Sequence, residues 1–335
     1  MNKQWLLARR PQGMVSADDF RLAVSALPEI GEGEILVRNR LLSCDPAQRG
    51  WMAYDTYWPA VRIGDVMRGI AVGEVTSSRH PDFRVGQIVQ GQFGWQEWAA
   101  VNPVTMPFFV AVPEGVSPEL GASLFGLTGL TAYFGLLEVG RAKAGDTVVI
   151  SGAAGATGSV AGQIAKILGC RVVGIAGGPE KCARLVDEWG FAAAIDYKSE
   201  NILTRLRKTC PDGVDLFFDN VGGDALDAAL LSLALHGRIV LCGAMSTYNL
   251  DGPAPGPRNY LRLLTRRARM EGFLVTDYMD RAGEAIEQLA RWHREGRIEQ
   301  RVDVVTGFEN APAALARLFA GENNGKQLVR IEYDA

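Results

Sequence analysis

The stretch Thr147-Val148-Val149-Ile150-Ser151-Gly152-Ala153-Ala154-Gly155-Ala156-Thr157-Gly158 is where residue type and spacing point most directly to chemistry. An apolar, β-branched run passes into glycines at 152, 155 and 158 and then into residues that form a helix. Such a turn lets the main chain approach phosphate oxygens with no side chain in the way, and the helix that follows directs its first N–H groups and positive dipole end at the anion. Gly152, Gly155, Ala156, Thr157 and Gly158 are therefore the candidate cradle for a dinucleotide pyrophosphate. Ala153 stands where the stricter pattern has its second glycine, so the flanking elements must support the reading. Val160, Ile164, Ile167 and Leu168 fall at helical spacing, Gly169 can close that helix, and Val172-Val173-Gly174-Ile175-Ala176 supplies the next strand of a βαβ unit.

The end of that second strand bears on which dinucleotide is bound. NAD-binding folds usually carry Asp or Glu there, accepting from the adenosine ribose hydroxyl. Here the residues are Ala176-Gly177-Gly178, with Lys181 in the following turn and Tyr197 closing the third strand. A missing carboxylate leaves room for a ribose phosphate, and an ammonium plus a phenol can hold it. Each charge-assisted hydrogen bond of this kind contributes about 1.5–3 kcal/mol. The cofactor expected from these residues is NADP(H).

These groups need a scaffold. Strand-like and helical segments alternate after residue 147, with strands near 147–151, 171–176, 193–195, 214–219, 238–242 and 270–275. That pattern predicts an α/β, doubly wound parallel sheet of the Rossmann type over about 126–307. From 30 to 113 the chain instead shows short segments cut by Gly and Pro, including Glu34–Asn39, Met67–Val75 and Gln87–Gly91, which predict a compact β-rich domain over about 1–125. Gly126–Thr131 reads as a hinge. The helix Ala311–Phe319 and the strand Gln327–Ile331 are expected to return to the first domain, placing about 308–335 with it. Asp251-Gly252-Pro253-Ala254-Pro255-Gly256-Pro257 reads as a loop.

Composition narrows the classes. The 335 residues are 47% hydrophobic and 22% charged with a formal net charge of −3, which offers no general attraction to nucleic acid or anionic lipid. No apolar run reaches the roughly 20 residues of a membrane span, and the first ten residues hold too short an apolar core for a secretory signal, so a cytoplasmic location is the expectation. Five scattered cysteines, at 44, 170, 182, 210 and 242, suit a reducing compartment. His80, His236 and His293 stand far apart, and no metal site is expected.

Taken together these features resemble the medium-chain dehydrogenase/reductase superfamily, and within it the zinc-independent prostaglandin reductase, alkenal double-bond reductase and curcumin reductase group. The resemblance runs nearly end to end. It is carried by Leu42-Ser43-Cys44-Asp45-Pro46 with Arg49, Gly129-Leu130-Thr131-Ala132-Tyr133, Gly152 to Gly158, Phe218-Asp219-Asn220-Val221-Gly222-Gly223, Cys242 to Asn249, Met270-Glu271-Gly272-Phe273 and Asn323-Asn324-Gly325-Lys326. It implies a GroES-like, β-rich substrate domain beside the cofactor domain. It also implies that Asn220, with Cys242, Gly243, Ala244, Met245, Ser246, Thr247 and Tyr248, lines the adenosine and nicotinamide-ribose path. Phe273, Leu274 and Val275 would flank the nicotinamide, Asn323 would reach it, and the protein would form a homodimer. Zinc-dependent members carry Gly-His-Glu where this chain has Arg68-Gly69-Ile70-Ala71-Val72-Gly73-Glu74.

The activity implied is NADPH-dependent reduction of the carbon–carbon double bond of an α,β-unsaturated ketone or aldehyde. Quinone reduction, or a catalytically silent NADPH-binding role, are the alternatives. Hydride addition leaves an enolate that needs a donor at oxygen and a proton at carbon. Ala47 and Thr265 stand where several relatives place tyrosines. Among the phenols left near site segments, Tyr54, Tyr57, Tyr248 and Tyr260, the candidate is Tyr248, whose motif carries it to the cofactor. Trp51, Met52, Trp58, Trp95 and Trp98 fit β-domain core better than a substrate pocket.

Overall fold

In the computed structural model, which describes residues 1–250 and 252–333, the chain divides into two units: Met1–Leu127 with Arg301–Ala335, and Thr128–Gln300. In the first, strand β1 (Asn2–Leu7) pairs antiparallel with β2 (Phe20–Ser25). β3 (Ile35–Ser43) then takes β4 (Ala71–Ser78) as antiparallel neighbour, followed by β5 (Ile88–Gly91), β6 (Trp98–Val101) and β7 (Phe109–Ala111). The expected strand from Met67 begins only at Ala71, after Gly69 has passed close to Trp95. A Cβ at Gly69 would meet the indole at 2.6–2.7 Å. Trp51, Met52 and Trp95 are buried in this unit's core with Leu7, Phe20, Ile35 and Val89, and Trp58 packs against it, so these aromatics serve packing.

The second unit carries the alternation through. Helix Leu127–Phe134 leads in, widening into one π turn over Gly135–Val139, so the segment expected as a hinge is helical from Leu127. The parallel strands are β8 (Thr147–Ser151), β9 (Arg171–Ala176), β10 (Ala193–Asp196), β11 (Val214–Asp219), β12 (Leu233–Leu241) and β13 (Arg269–Gly272). They lie in the order β10-β9-β8-β11-β12-β13, every pair parallel. This is the doubly wound order, with its topological switch between β8 and β11, where the reversal of strand order leaves a crevice outside the carboxyl ends of the strands. Val149, Val173, Ile175, Phe217 and Ile239 bury one face under Ala225, Ala229 and Leu230 of the helix Gly223–Ser232.

Two strand ends depart from the sequence reading. β12 starts five residues before the expected 238, but its ladder to β11 is broken by an irregularity in which His236 takes φ 61°, and regular pairing resumes at Arg238. β13 stops at Gly272 rather than 275. Phe273 leaves the sheet to press its ring on the Cα of Gly135, and Val275 opens a 3₁₀ turn through Arg281.

The chain returns to the first unit at Arg301, ahead of the expected 308, because β14 (Val302–Thr306) pairs parallel with β15 (Lys326–Arg330). β15 pairs antiparallel with β3, giving the order β14-β15-β3-β4-β5-β7 with β6 also on β3. Helix Ala311–Phe319 lies between β14 and β15 in sequence, as its spacing predicts. In the loop expected at 251–257, Asp251 lies outside the described residues, and 252–257 form neither helix nor strand. Among the described residues no helix is long and apolar enough to cross a membrane.

Candidate dinucleotide site

The glycine-spaced turn stands at the C-terminal end of β8, beside the switch point. Gly152 adopts φ 60°, which a side chain rarely tolerates, and Gly155 N-caps the helix Ala156–Ile167. Gly155 brings no side chain to cap with, and no acidic residue follows in the first turn. The N–H groups of Ala156, Thr157 and Gly158, which precede the first possible intrahelical bonds, thus stay available to an anion, with the helix dipole adding to the attraction. Gly158 packs so close to the turn that a Cβ there would overlap the Gly152 carbonyl oxygen and lie 2.9 Å from Gly152 C and 3.0 Å from Ala153 Cα. A cradle of this depth and polarity fits a dinucleotide pyrophosphate.

Ala153 is explained by its direction. Its side chain is fully buried and faces Gly174 of β9, where a Cβ would meet Ala153 Cβ at 2.9 Å and Leu185 Cδ1 at 2.5 Å. The small-residue requirement has moved across to Gly174. Gly162, one helical turn after Gly158, is pressed on the Phe191 ring, so close helix–sheet packing involves positions the glycine spacing did not reveal.

Across the switch point, β8 and β11 are knotted by side chains. The Ser151 hydroxyl donates to Asp219 Oδ1 at 2.7 Å and accepts the Asn220 N–H at 2.8 Å, while Asn220 Nδ2 donates to the Ser151 carbonyl at 2.7 Å. Asp219 Oδ1 also accepts the N–H groups of Val221 and Gly222, at 3.0 and 2.9 Å. Its Oδ2 is buried with no hydrogen-bond partner, and burial raises this carboxyl above the usual range. Asn220 is thus placed at the crevice by its neighbour, Asp219, which the sequence reading did not single out. The signal was present: an acid closing the apolar run Leu216-Phe217-Phe218 has no reason to be there unless it is bonded.

Cys242 to Tyr248 form the loop after β12, folded over the same crevice. The amides of Cys242 and Gly243 donate to the Asp219 carbonyl, Met245 to that of Asn220, and Ser246 to that of Val221 through both N–H and hydroxyl. Burial and then the nearby Asp219 push the Cys242 thiol up to about 12, which keeps it protonated and unreactive. Tyr248 is half-buried, and its phenol oxygen accepts the Ala244 N–H at 3.1 Å. Thr247 Oγ1 donates to the Ala244 carbonyl at 2.8 Å. Phe273, Leu274 and Val275 follow the end of β13, with Val275 buried and Phe273 half-buried.

At the other side of the sheet, Lys181 is half-buried in the helix Pro179–Asp187 that follows β9, and Tyr197, 52% exposed, follows β10. Every sequence-predicted cofactor residue of this unit therefore lies beyond the C-terminal end of a parallel strand. Asn323 does not join them within that unit. It is buried in the β-rich unit, where its Nδ2 donates to the Gly325 carbonyl at 2.7 Å and shapes the turn before β15. Two segments of the resemblance do meet there. Lys326 Nζ reaches Asp45 Oδ1 at 2.5 Å, Ser43 Oγ donates to Asp45 Oδ2 at 2.5 Å, and both charged side chains are nearly solvent-free.

Residues 3–107 match the family described as the N-terminal domain of oxidoreductase, and residues 156–291 the family described as zinc-binding dehydrogenase. Among the described residues no group of three or more His, Cys, Asp or Glu is placed to hold a metal ion. The chain is 39% identical to the NADPH-dependent curcumin reductase of Escherichia coli, over 99% of its own length and 98% of that protein's. It is also 39% identical to the NADP(+)-dependent 2-alkenal reductase of Nicotiana tabacum, over 98% and 97%. The crystal structure of CurA from Vibrio vulnificus in complex with NADPH matches with a TM-score of 0.92 at 39% identity, covering 99% of this chain and all of that one.

Proposed function

Because the chain belongs to the medium-chain dehydrogenase/reductase superfamily, among its NADPH-dependent double-bond reductases, we propose that it reduces the carbon–carbon double bond of α,β-unsaturated ketones or aldehydes with NADPH. The observation that carries the reading is the uncapped helix start at Ala156–Gly158, set beside the switch point by a Gly158 that has no room for a side chain. Bound NADPH supplies a hydride for the β-carbon of the alkene. The chain's own part is to hold, orient and dry the reactants.

Gly155 to Gly158 hold the pyrophosphate through main-chain N–H groups, and Lys181 with Tyr197 hold the ribose phosphate. Asn220 and the loop Cys242–Tyr248, stitched to the Asp219 and Asn220 carbonyls, present a fixed wall along the nucleotide. Phe273 to Val275, steadied by the Phe273 ring on Gly135, support the nicotinamide end. The β-rich unit, in which Asn323 is bonded to the Gly325 carbonyl, we read as the substrate domain. Tyr248 is the candidate proton donor, its oxygen positioned by the Ala244 N–H. Tyr248→Phe is expected to lower turnover several-fold with modest effect on NADPH affinity, in steady-state assays paired with fluorescence titration. Unchanged turnover would assign protonation to the cofactor ribose or to water.

A homodimer also belongs to this proposal. β13 ends the parallel sheet with Glu271 and Gly272 exposed, and the neighbouring Leu261 and Leu264 are 63% and 76% exposed. An open edge beside apolar side chains favours pairing with a second copy. Five cysteines without a disulfide among them support a reducing, cytoplasmic setting. The test of the reading is NADPH consumption with enals, enones, flat diarylheptanoids and benzoquinones. Turnover of enones or enals supports it. A preference for quinones would move the chain to the quinone reductases, and binding of NADPH without its oxidation by any activated alkene would make it a silent binder.

A further inference from the structure

The carboxylate missing from the end of β9 has a counterpart one strand away. Asp196 closes β10 directly beside Ala176, the last residue of β9. Its Oδ1 accepts the N–H of Gly178 at 2.8 Å and that of Lys198 at 3.0 Å, and its Oδ2 accepts the Ser199 hydroxyl at 2.9 Å. These bonds, led by the one from Gly178, hold the carboxyl below its usual range, so it stays ionised at neutral pH.

The groups it grips are those that lead to the ribose-phosphate side. Gly178 takes φ 93° and N-caps the helix that carries Lys181. Gly177 lies under the Tyr197 ring, so close that a Cβ would come within 2.8–2.9 Å of ring atoms and the phenol oxygen. Lys198 is the residue after Tyr197, and the Tyr197 N–H donates to the Ala176 carbonyl at 3.1 Å. One side chain therefore tethers the turn before Lys181 and the turn after Tyr197 to each other.

We infer that Asp196 is a specificity-determining positioning residue, which clamps the Gly177–Lys181 turn to the Tyr197 turn in the arrangement that accepts a ribose 2′-phosphate. The inference rests on reading Lys181 and Tyr197 as the phosphate-side residues. It resolves an electrostatic difficulty. A free carboxylate at this edge would repel a 2′-phosphate and favour a ribose hydroxyl, as the strand-end acid of NAD-binding folds does. With three donors on its oxygens, the Asp196 charge is partly neutralised, and its lone pairs are turned to two main-chain N–H groups and the Ser199 hydroxyl.

The test is calorimetric titration of the purified protein with NADP⁺ and NAD⁺, with 2′,5′-ADP as a probe of the phosphate half alone. Asp196→Ala is expected to weaken NADP⁺ and 2′,5′-ADP about tenfold, the loss of one charge-assisted contact, while NAD⁺ changes less than about twofold. Asp196→Asn, which keeps an oxygen for the Gly178 N–H, is expected to recover most of that affinity. Equal weakening of NADP⁺ and NAD⁺ by Asp196→Ala, or no change in either, would overturn the inference. Lys181→Ala runs beside them and is expected to weaken NADP⁺ alone, roughly ten- to a hundredfold. If Lys181→Ala behaves so and Asp196→Ala does not, only the clamp is lost. If neither variant discriminates, the phosphate-side reading beneath it falls as well, and a matched fall in thermal midpoint without discrimination would mark Asp196 as merely structural.

Discussion

Lys326→Met is expected to lower the stability of the β-rich unit by about 3–5 kcal/mol, the cost of stripping one partner from a buried ion pair. The pair it breaks is nearly dry: the Lys326 ammonium is 2% exposed and the Asp45 carboxylate 8% exposed. Lys326 Nζ also donates to the Cys44 carbonyl at 3.3 Å, so the loss is not only Coulombic. What remains after the change is a carboxylate held by the Ser43 hydroxyl with no compensating charge. In calorimetry the unit's transition should fall on the order of 10 °C. Replacing both partners, Asp45→Leu with Lys326→Met, is expected to recover most of the loss, because two apolar groups of similar size avoid both desolvation penalties. The double-mutant cycle measures the coupling directly. A single Lys326→Met within about 1 kcal/mol of the parent, the range of solvent-exposed pairs, would show that water reaches this site.

That pair illustrates what the sequence conceals. Asp45 and Lys326 are separated by 281 residues, and each was legible only as part of a local segment shared with a family. The parallel sheet was readable because its central strands β8, β9 and β11 are local events, apolar runs ended by glycine or a polar residue, and the alternation with helices dictates the winding. The short strands of the β-rich unit were harder. β1, β2, β7 and β14 have only three to six residues apiece, and their partners are set by long-range pairing that leaves weak local patterns. The early stop of β13 has the same origin: Phe273 looks like strand until Gly135 offers its ring a place to pack.

The candidate site divides along the same line. The glycine turn is legible because its work is done by consecutive backbone groups. The residues that hold the turn's surroundings in place are not. Ser151 meets Asp219 across 68 residues, and Asp196 meets Gly178 across 18. A single buried acid has many uses, and only its hydrogen-bond partners say which one applies. The general consequence is that sequence shows the backbone turn proposed to meet the phosphates, whereas structure shows the acids bonded around it. Asp219 lies beside the switch point at the middle of the sheet, and Asp196 at its β9–β10 edge.

Gly158→Ala is expected to be the most damaging single-methyl change for the cofactor. Its Cβ would overlap the Gly152 carbonyl oxygen and crowd Ala153 Cα, all main-chain atoms that cannot rotate away. The helix start must then retreat from the turn, which moves the Ala156, Thr157 and Gly158 N–H groups off the position where they converge on an anion. Losing one to two charge-assisted hydrogen bonds, about 1.5–3 kcal/mol each, corresponds to a rise in the NADPH dissociation constant of at least ten- to a hundredfold. Gly283 supplies the control. It lies in the helix Ala282–Arg294, and a methyl group there would meet nothing within 4 Å, so Gly283→Ala should leave affinity untouched. That control should also add about 0.5–1 kcal/mol of stability, as alanine does in a helix. Equilibrium fluorescence titration of both variants decides the matter. Parent-like NADPH affinity in Gly158→Ala would mean that the cradle tolerates displacement, and that the pyrophosphate is held by something other than the start of this helix.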